Sequence, residues 1–319
     1  MKRPIALTLV AALAVLTASQ LFSADRAKVS RLDKTLVRRH CKYIDVNQIR
    51  SSVMNNGTFS RHPITGNSDM EWPKGSGKYI CYNAGIWIAG KVAGEVRTAA
   101  ADYNVEYQPG LILPDGNADN PDDPKYRVYK VHKDYPDGYP ALDIDPWSDW
   151  PADQGAPVNP DGSIKWYGDE QLYAVMNDLD ANLHNIAYHT MPIGIELHLL
   201  VFAFDRPGAL GNTLFFQYTV INKGKDHLRD AYIGVWSDVD NGDANDDLVG
   251  YDLERGMGYC YGGKPIDATY GDRPPALGFD FFRGPMVPSP GDTVKLPDGS
   301  VYPNKKLLDA SAFVKYYNP

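Results

Sequence analysis

The sequence predicts an all-β protein, an antiparallel β-sandwich of Ig-like or jelly-roll-like type with long loops rich in Asp, Pro and Gly. Three observations carry that reading. Short runs rich in Tyr, Phe, Trp, Val and Ile recur along the chain, and these residues suit a pleated, half-buried surface. No segment after the first two dozen residues keeps a 3.6-residue apolar period over a dozen positions. The 29 Gly and 24 Pro punctuate the chain at strand-and-turn spacing.

The elements follow in order. Met1-Lys2-Arg3, an apolar run over residues 5–16 and small residues up to Ala24 have the layout of a secretory signal peptide. The run is shorter than the roughly 18 apolar residues a membrane span needs, so residues 1–24 are expected to be cleaved on export, leaving no span. Residues 25–76 read as a basic and polar entry arm, with Arg31, Lys34, Arg38, Arg39 and His40 leading to the turn Asn55-Asn56-Gly57. Residues 77–319 read as the sandwich domain. Tyr79-Ile80-Cys81-Tyr82 and Ile86-Trp87-Ile88-Ala89, on either side of Asn83-Ala84-Gly85, predict a hairpin. Further strands are expected at 104–107, 126–132, 171–176, 193–204, 214–222, 228–237, 256–261 and 276–282. The runs 214–221 and 231–236, joined by Asn222-Lys223-Gly224-Lys225-Asp226-His227, predict an antiparallel pair. Residues 194–199 alternate apolar and polar before the strand turns apolar on both faces, which predicts passage from an exposed edge into a core. Residues 109–168 form a long loop, and a loop of that length in a compact domain is usually functional or partly disordered.

Charge and cysteine content narrow the chemistry. Lys+Arg 32 against Asp+Glu 40 gives a net charge of -8, which argues against nucleic acid or an anionic membrane as partner and favours cations. Cys41, Cys81 and Cys260 allow one bridge at most. Cys81 with Cys260 is the expected pair, both being in strand-like stretches, beside the reading of three free thiols. No CxxC, HExxH, GxSxG, GxxxxGK[ST] or GxGxxG pattern occurs, so redox-thiol, zinc, nucleophilic and nucleotide chemistry lack their usual support.

The sharpest constellation follows a strand: Ser237-Asp238-Val239-Asp240-Asn241-Gly242-Asp243-Ala244-Asn245-Asp246-Asp247. Calcium takes six to eight oxygen ligands, and a Gly-bearing loop lets successive side chains curl toward one centre. Asp238, Asp240, Asp243, Asn245, Asp246 and Asp247 are therefore the candidate ligands of a structural calcium ion. The spacing is not that of an EF-hand, because Leu248 stands where Gly is required. A solvated acidic turn is the competing reading. Asp115, Asn117, Asp119, Asn120, Asp122 and Asp123 lie among three prolines, which favours an ordinary exposed loop. Asn177, Asp178 and Asp180 form a third acidic set.

Two glycan readings also arise. Asp178, Asp180 and Glu196 are the candidates for the paired carboxylates of a glycoside hydrolase, although ordinary acids account for them as well. Trp147, Trp150 and Trp166, with Tyr135, Tyr139 and Tyr167, could stack a carbohydrate or pin the loop to the sandwich.

Several phrases resemble one group of large exported bacterial proteins, many with a C-terminal sorting domain for type IX secretion. They are Asn55-Asn56-Gly57, Glu71-Trp72-Pro73-Lys74-Gly75, Ala84-Gly85-Ile86-Trp87, Pro121-Asp122-Asp123-Pro124-Lys125-Tyr126, Asp149-Trp150-Pro151, Phe204-Asp205-Arg206-Pro207-Gly208-Ala209-Leu210, Trp236-Ser237-Asp238 and Gly278-Phe279-Asp280-Phe281-Phe282. The resemblance implies a secreted or cell-surface role, carries over no catalytic residue, and implies a longer chain, since the sorting domain is absent. The expected function is a structural or binding protein of the cell surface, with a glycan or another surface protein as partner. The alternative is a secreted glycan-active or other hydrolase.

Overall fold

Residues 41–71, which read as an arm, supply four strands of the largest sheet in the computed structural model, which describes residues 38–135, 143–296 and 299–315. The signal-like segment and Tyr139 lie outside the described residues. The strands are β1 (Cys41–Ile44), β2 (Arg50–Met54), β3 (Thr58–Phe59) and β4 (Met70–Glu71), followed by β5 (Tyr79–Cys81), β6 (Asn83–Val92) and β7 (Glu95–Ala100). The second sheet takes β8 (Gln108–Pro109), β9 (Tyr129–His132), β10 (Glu170–Asn177), β11 (Ile195–Ala203) and β12 (Phe215–Asn222). The chain then returns to the first sheet through β13 (Arg229–Asp238). The large sheet has eight strands in the order β13-β6-β3-β2-β4-β5, with β1 on β2 and β7 on β6; the second has five, β12-β11-β10-β8, with β9 on β10. A three-stranded sheet of β14 (Asp247–Asp252), β15 (Met257–Gly262) and β16 (Ala276–Asp280) follows, then the hairpin β17 (Met286–Lys295) with β18 (Val301–Leu307).

All strand pairs are antiparallel. The two large sheets pack face to face: Ile44, Val53, Ile86 and Ile88 of one meet Leu172, Ala174, Met176, Leu197, Leu199 and Val201 of the other in a single core. The fold is thus the expected all-β sandwich.

Two pairings differ from expectation. The runs 214–221 and 231–236 are strands, but β12 pairs with β11 and β13 pairs with β6, so their connection crosses between sheets. The apolar pattern says that each strand has a face against a core, and both do: Phe216, Tyr218 and Ile233, all half-buried, pack on the shared core. It does not say which edge each strand joins. Likewise Asn83-Ala84-Gly85 is the start of β6 rather than a turn; the hairpin comes later, where Ala93 and Gly94 take φ of 51 and 88° between β6 and β7. Two consecutive positive φ values are what a tight two-residue hairpin turn needs. Residues 104–107 contribute only the isolated bridge Ala101↔Val105.

Strand β10 is buried at every position because it is covered twice. Its inner face meets the sandwich core, and its outer face, with Leu200 of β11, lies under Tyr126, Tyr129, Val131, Trp150, Ala156 and Ile164. Four of these, Tyr126, Trp150, Ala156 and Ile164, belong to the long loop outside any sheet strand. The loop thus folds back as a lid on the five-stranded sheet. The same lid explains why Glu196, expected at an exposed edge, is only 2% exposed. On the opposite, inner face of β9, level with Leu172, the enclosed Lys130 reaches Asp45 at 2.7 Å, Glu170 at 3.3 Å and Asp143 at 3.4 Å.

Candidate functional site

The acid-rich loop runs from Asp238, the last residue of β13, to Asp247, the first of β14, and so joins the eight-stranded sheet to the three-stranded one. Its bend needs glycine: Gly242 has φ of 79°, and a Cβ there would meet Asp267 Oδ1 at 2.4 Å. Asp267, absent from the sequence-derived set, organises the turn. Its Oδ2 accepts from Asp243 N at 2.8 Å, and its Oδ1 accepts from Thr269 N at 2.7 Å and Tyr270 N at 2.6 Å. Burial opposes its charge, but these three N–H groups win and hold the carboxyl below the usual range.

The candidate ligands sort into two sets. Asp243 and Asn245 turn on each other, Asp243 Oδ1 accepting from Asn245 N at 3.2 Å and Nδ2 at 2.9 Å, in an ordinary exposed Asx turn. Asp240, Asp246 and Asp247, with Asn241 between, form an inner set. Burial pushes the Asp247 carboxyl up to about 6, reinforced by the negative charges of Asp240 and Asp246. Burial, then Asp238, raises Asp240 as well. Asp238 itself is tied at the rim, its Oδ2 accepting from the Tyr103 hydroxyl.

Inside this set three side-chain oxygens are enclosed without a hydrogen-bond partner: Asn241 Oδ1, Asp246 Oδ1 and Asp247 Oδ1. Asn241 is 0% exposed and the Asp246 side chain 8%. The other atoms of these groups are committed: Asn241 N donates to Asp247 Oδ2 at 2.9 Å, Asn241 Nδ2 donates to Pro275 O, and Asp246 Oδ2 faces Lys264 Nζ at 3.6 Å. Buried lone pairs normally find a donor, and each that does not costs about 1–3 kcal/mol. Among the described residues no three His, Cys, Asp or Glu side chains already converge on a metal position.

The two other acidic sets are accounted for by the protein itself. Asp115 accepts from Asn117, Asp119 pairs with Lys125 at 2.8 Å and Tyr126 at 2.6 Å, Asp122 pairs with Arg38 at 2.6 Å, and Asp123 caps Lys125 N. Asp178 is 0% exposed, and its carboxylate accepts three backbone N–H groups, from Ile193 at 2.6 Å, Ile195 at 2.7 Å and Gly194 at 2.9 Å. Asp180 caps the short helix Ala181–Ile186. Glu196 accepts from Ile112 N at 2.6 Å and faces His198 Nε2 at 2.9 Å. The hydrolase candidates therefore sit in separate structural roles rather than across a cleft.

The cysteines also depart from expectation. Cys41, Cys81 and Cys260 are all free, so Cys81 and Cys260 do not form the bridge. The Cys81 thiol lies within the first sheet and donates to Asp238 O at 3.4 Å, whereas Cys260 belongs to β15 and stands beside Asp247. Burial raises both thiols to about 12, which keeps them protonated and unreactive.

Of the three tryptophans, Trp150 is 6% exposed, donates Nε1 to Pro157 O at 3.0 Å and packs on Tyr173, so it pins the lid. Trp147 and Trp166 come together, ring centroids 5.9 Å apart at 66°. Among the described residues no helix is long and apolar enough to cross a membrane. No family model, no curated protein and no solved structure matches this chain.

Proposed function

We propose that this is an exported structural or binding protein of the cell surface in which the acid-rich loop holds one calcium ion through Asp240, Asn241, Asp246 and Asp247. The observation that carries the reading is the group of three enclosed, partnerless oxygens among like-charged carboxylates. A divalent cation acts on both costs at once: it supplies an electron-pair acceptor to each orphan lone pair and offsets the burial and, after it, the like charge of Asp240 and Asp246 that raise Asp247. Calcium suits an all-oxygen set that includes an amide oxygen, with waters completing the shell. The ion's role is mechanical, fixing the junction between β13 and β14. The signal-like segment supports export, and the three enclosed, unpartnered oxygens support the ion.

Thermal melts in calcium and in chelator test this. Calcium at 100-fold over its dissociation constant should add ~2.7 kcal/mol to unfolding. Asp240→Asn with Asp247→Asn should abolish the calcium-dependent shift without lowering the melt in chelator, and Asp243→Ala should keep the shift. Loss of the shift in Asp243→Ala alone, with retention in the double variant, would overturn the assignment.

A further inference from the structure

We propose that the concavity lined by the paired rings of Trp147 and Trp166 binds a neutral saccharide. The site shares no residue with the acid-rich loop and leans on the proposed function only for its extracellular setting. It measures about 420 Å3 and is lined by Trp147, Ser148, Asn159, Gly162, Ser163, Ile164 and Trp166, which is within the roughly 300–1,000 Å3 of small-ligand sites.

Its walls are fixed before any ligand arrives. Trp147 opens the one-turn helix Trp147–Asp149 and donates its indole N–H to His132 O at 2.9 Å. The opposite wall is a tight turn closed by the Val158↔Ile164 bridge and by Asn159 N donating to Ser163 O at 2.8 Å. Ile164 and Trp150 anchor both walls in the lid core. A site whose side chains are already held loses little entropy on binding.

The lining specifies the ligand class. Trp147 is 45% exposed although its N–H is satisfied, so it presents an apolar ring face to solvent. Indole faces stack on the C–H face of a pyranose ring; Ser163 Oγ donates to Asp161 Oδ1 at 2.6 Å and accepts from Asn159 Nδ2 at 3.0 Å, and Ser148 Oγ donates to Asp149 Oδ1 at 3.4 Å, so these groups meet a sugar's hydroxyl rim chiefly as acceptors. Among the described residues no ionisable side chain lines the concavity, and the two acids bonded to its serines, Asp149 and Asp161, carry negative charge. A sulfated or uronic polymer would meet no cation there; a neutral sugar leaves no charge unpaired.

The test is retention of the full chain on a panel of neutral and anionic polysaccharides, followed by tryptophan-fluorescence titration with oligosaccharides of any polymer that retards it. Retention by at least one neutral polymer is expected, insensitive to salt and to chelator. Trp147→Ala should weaken binding at least tenfold, with a small fall in the melt from the lost contacts to His132 O and Trp166. Ser148→Arg, which fills the concavity from an exposed position without removing a core contact, should weaken binding as much. Tyr232→Ala, at a ring 70% exposed elsewhere, should not. Absence of retention by every neutral polymer, salt-sensitive binding to anionic polymers alone, or binding unchanged in both Trp147→Ala and Ser148→Arg would overturn the proposal. Sugar binding that survives chelation and calcium binding that survives Trp147→Ala are separate results, so either reading can fail alone.

Discussion

Replacing Asp178 by Asn separates a structural acid from a catalytic one. The carboxylate accepts three backbone N–H groups in a place with no solvent exposure. An Asn carbonyl oxygen can serve two of them at most, and the amide NH2 then points at the third donor, so at least one enclosed N–H is left without an acceptor. The orphaned donor costs about 1–3 kcal/mol, and the two surviving bonds lose the charge assistance that makes such contacts roughly twice as strong. A total of about 4 kcal/mol follows, a large share of the 5–15 kcal/mol that holds a typical domain together. Urea denaturation followed by tryptophan fluorescence reads this directly, as a lower midpoint at constant slope. A change below about 1 kcal/mol, or loss of turnover on a glycan with stability intact, would refute the reasoning and restore Asp178 as a hydrolase candidate.

Other consequences are equally specific. Lys130→Met should cost about 3–5 kcal/mol because it leaves the Glu170 carboxylate enclosed and unpaired, and adding Glu170→Leu should recover most of that loss in the same denaturation assay. Burial, aided by Lys42 and Arg127, lowers His40 to about 4 from 6.5, so the unfolded chain takes up a proton between those values and the folded one does not. Stability is therefore complete above pH 6.5 and falls by about 3 kcal/mol as pH drops toward 4; midpoints measured across that window should slope less steeply in His40→Gln. Asp247 adds a pH dependence of its own: a carboxyl raised to about 6 must lose its proton to take a cation, so apparent calcium affinity should fall as pH drops below 6, an effect that titrations at pH 5 and 7 would expose and Asp247→Asn would remove.

The strands were legible where Tyr, Phe, Trp, Val and Ile ran together, as in β10, β11, β12 and β13, because such residues mark a pleated, buried or half-buried surface whatever the strand pairs with. Pairing was not legible for the same reason: nothing in 214–221 or 231–236 encodes which sheet each will join. The strands β1 to β4 escaped notice because their buried positions include Ser51, Ser52 and Thr58, polar residues whose hydroxyls are satisfied by Ser60, Arg61 O and Asn56. The loop chemistry divides in the same way. Clustered acids between Asp238 and Asp247 were visible by eye, but their division into an inner and an outer set depends on Asp267, which captures Asp243 N from 24 residues away. Its only local trace is an Asp-Ala-Thr turn pattern that many loops share. Trp150 and Trp147, three residues apart in one Pro-rich stretch, look alike as letters; only the lid's packing makes one a core residue and the other a surface ring.

The most direct measurement is calorimetric titration of chelator-stripped full-length protein with calcium at pH 7. One saturable site per chain, lost in Asp240→Asn with Asp247→Asn and retained in Asp243→Ala, is the expected result. A titration without heat, together with coincident melts before and after calcium, would contradict the account and leave the loop an acidic turn with three unsatisfied oxygens.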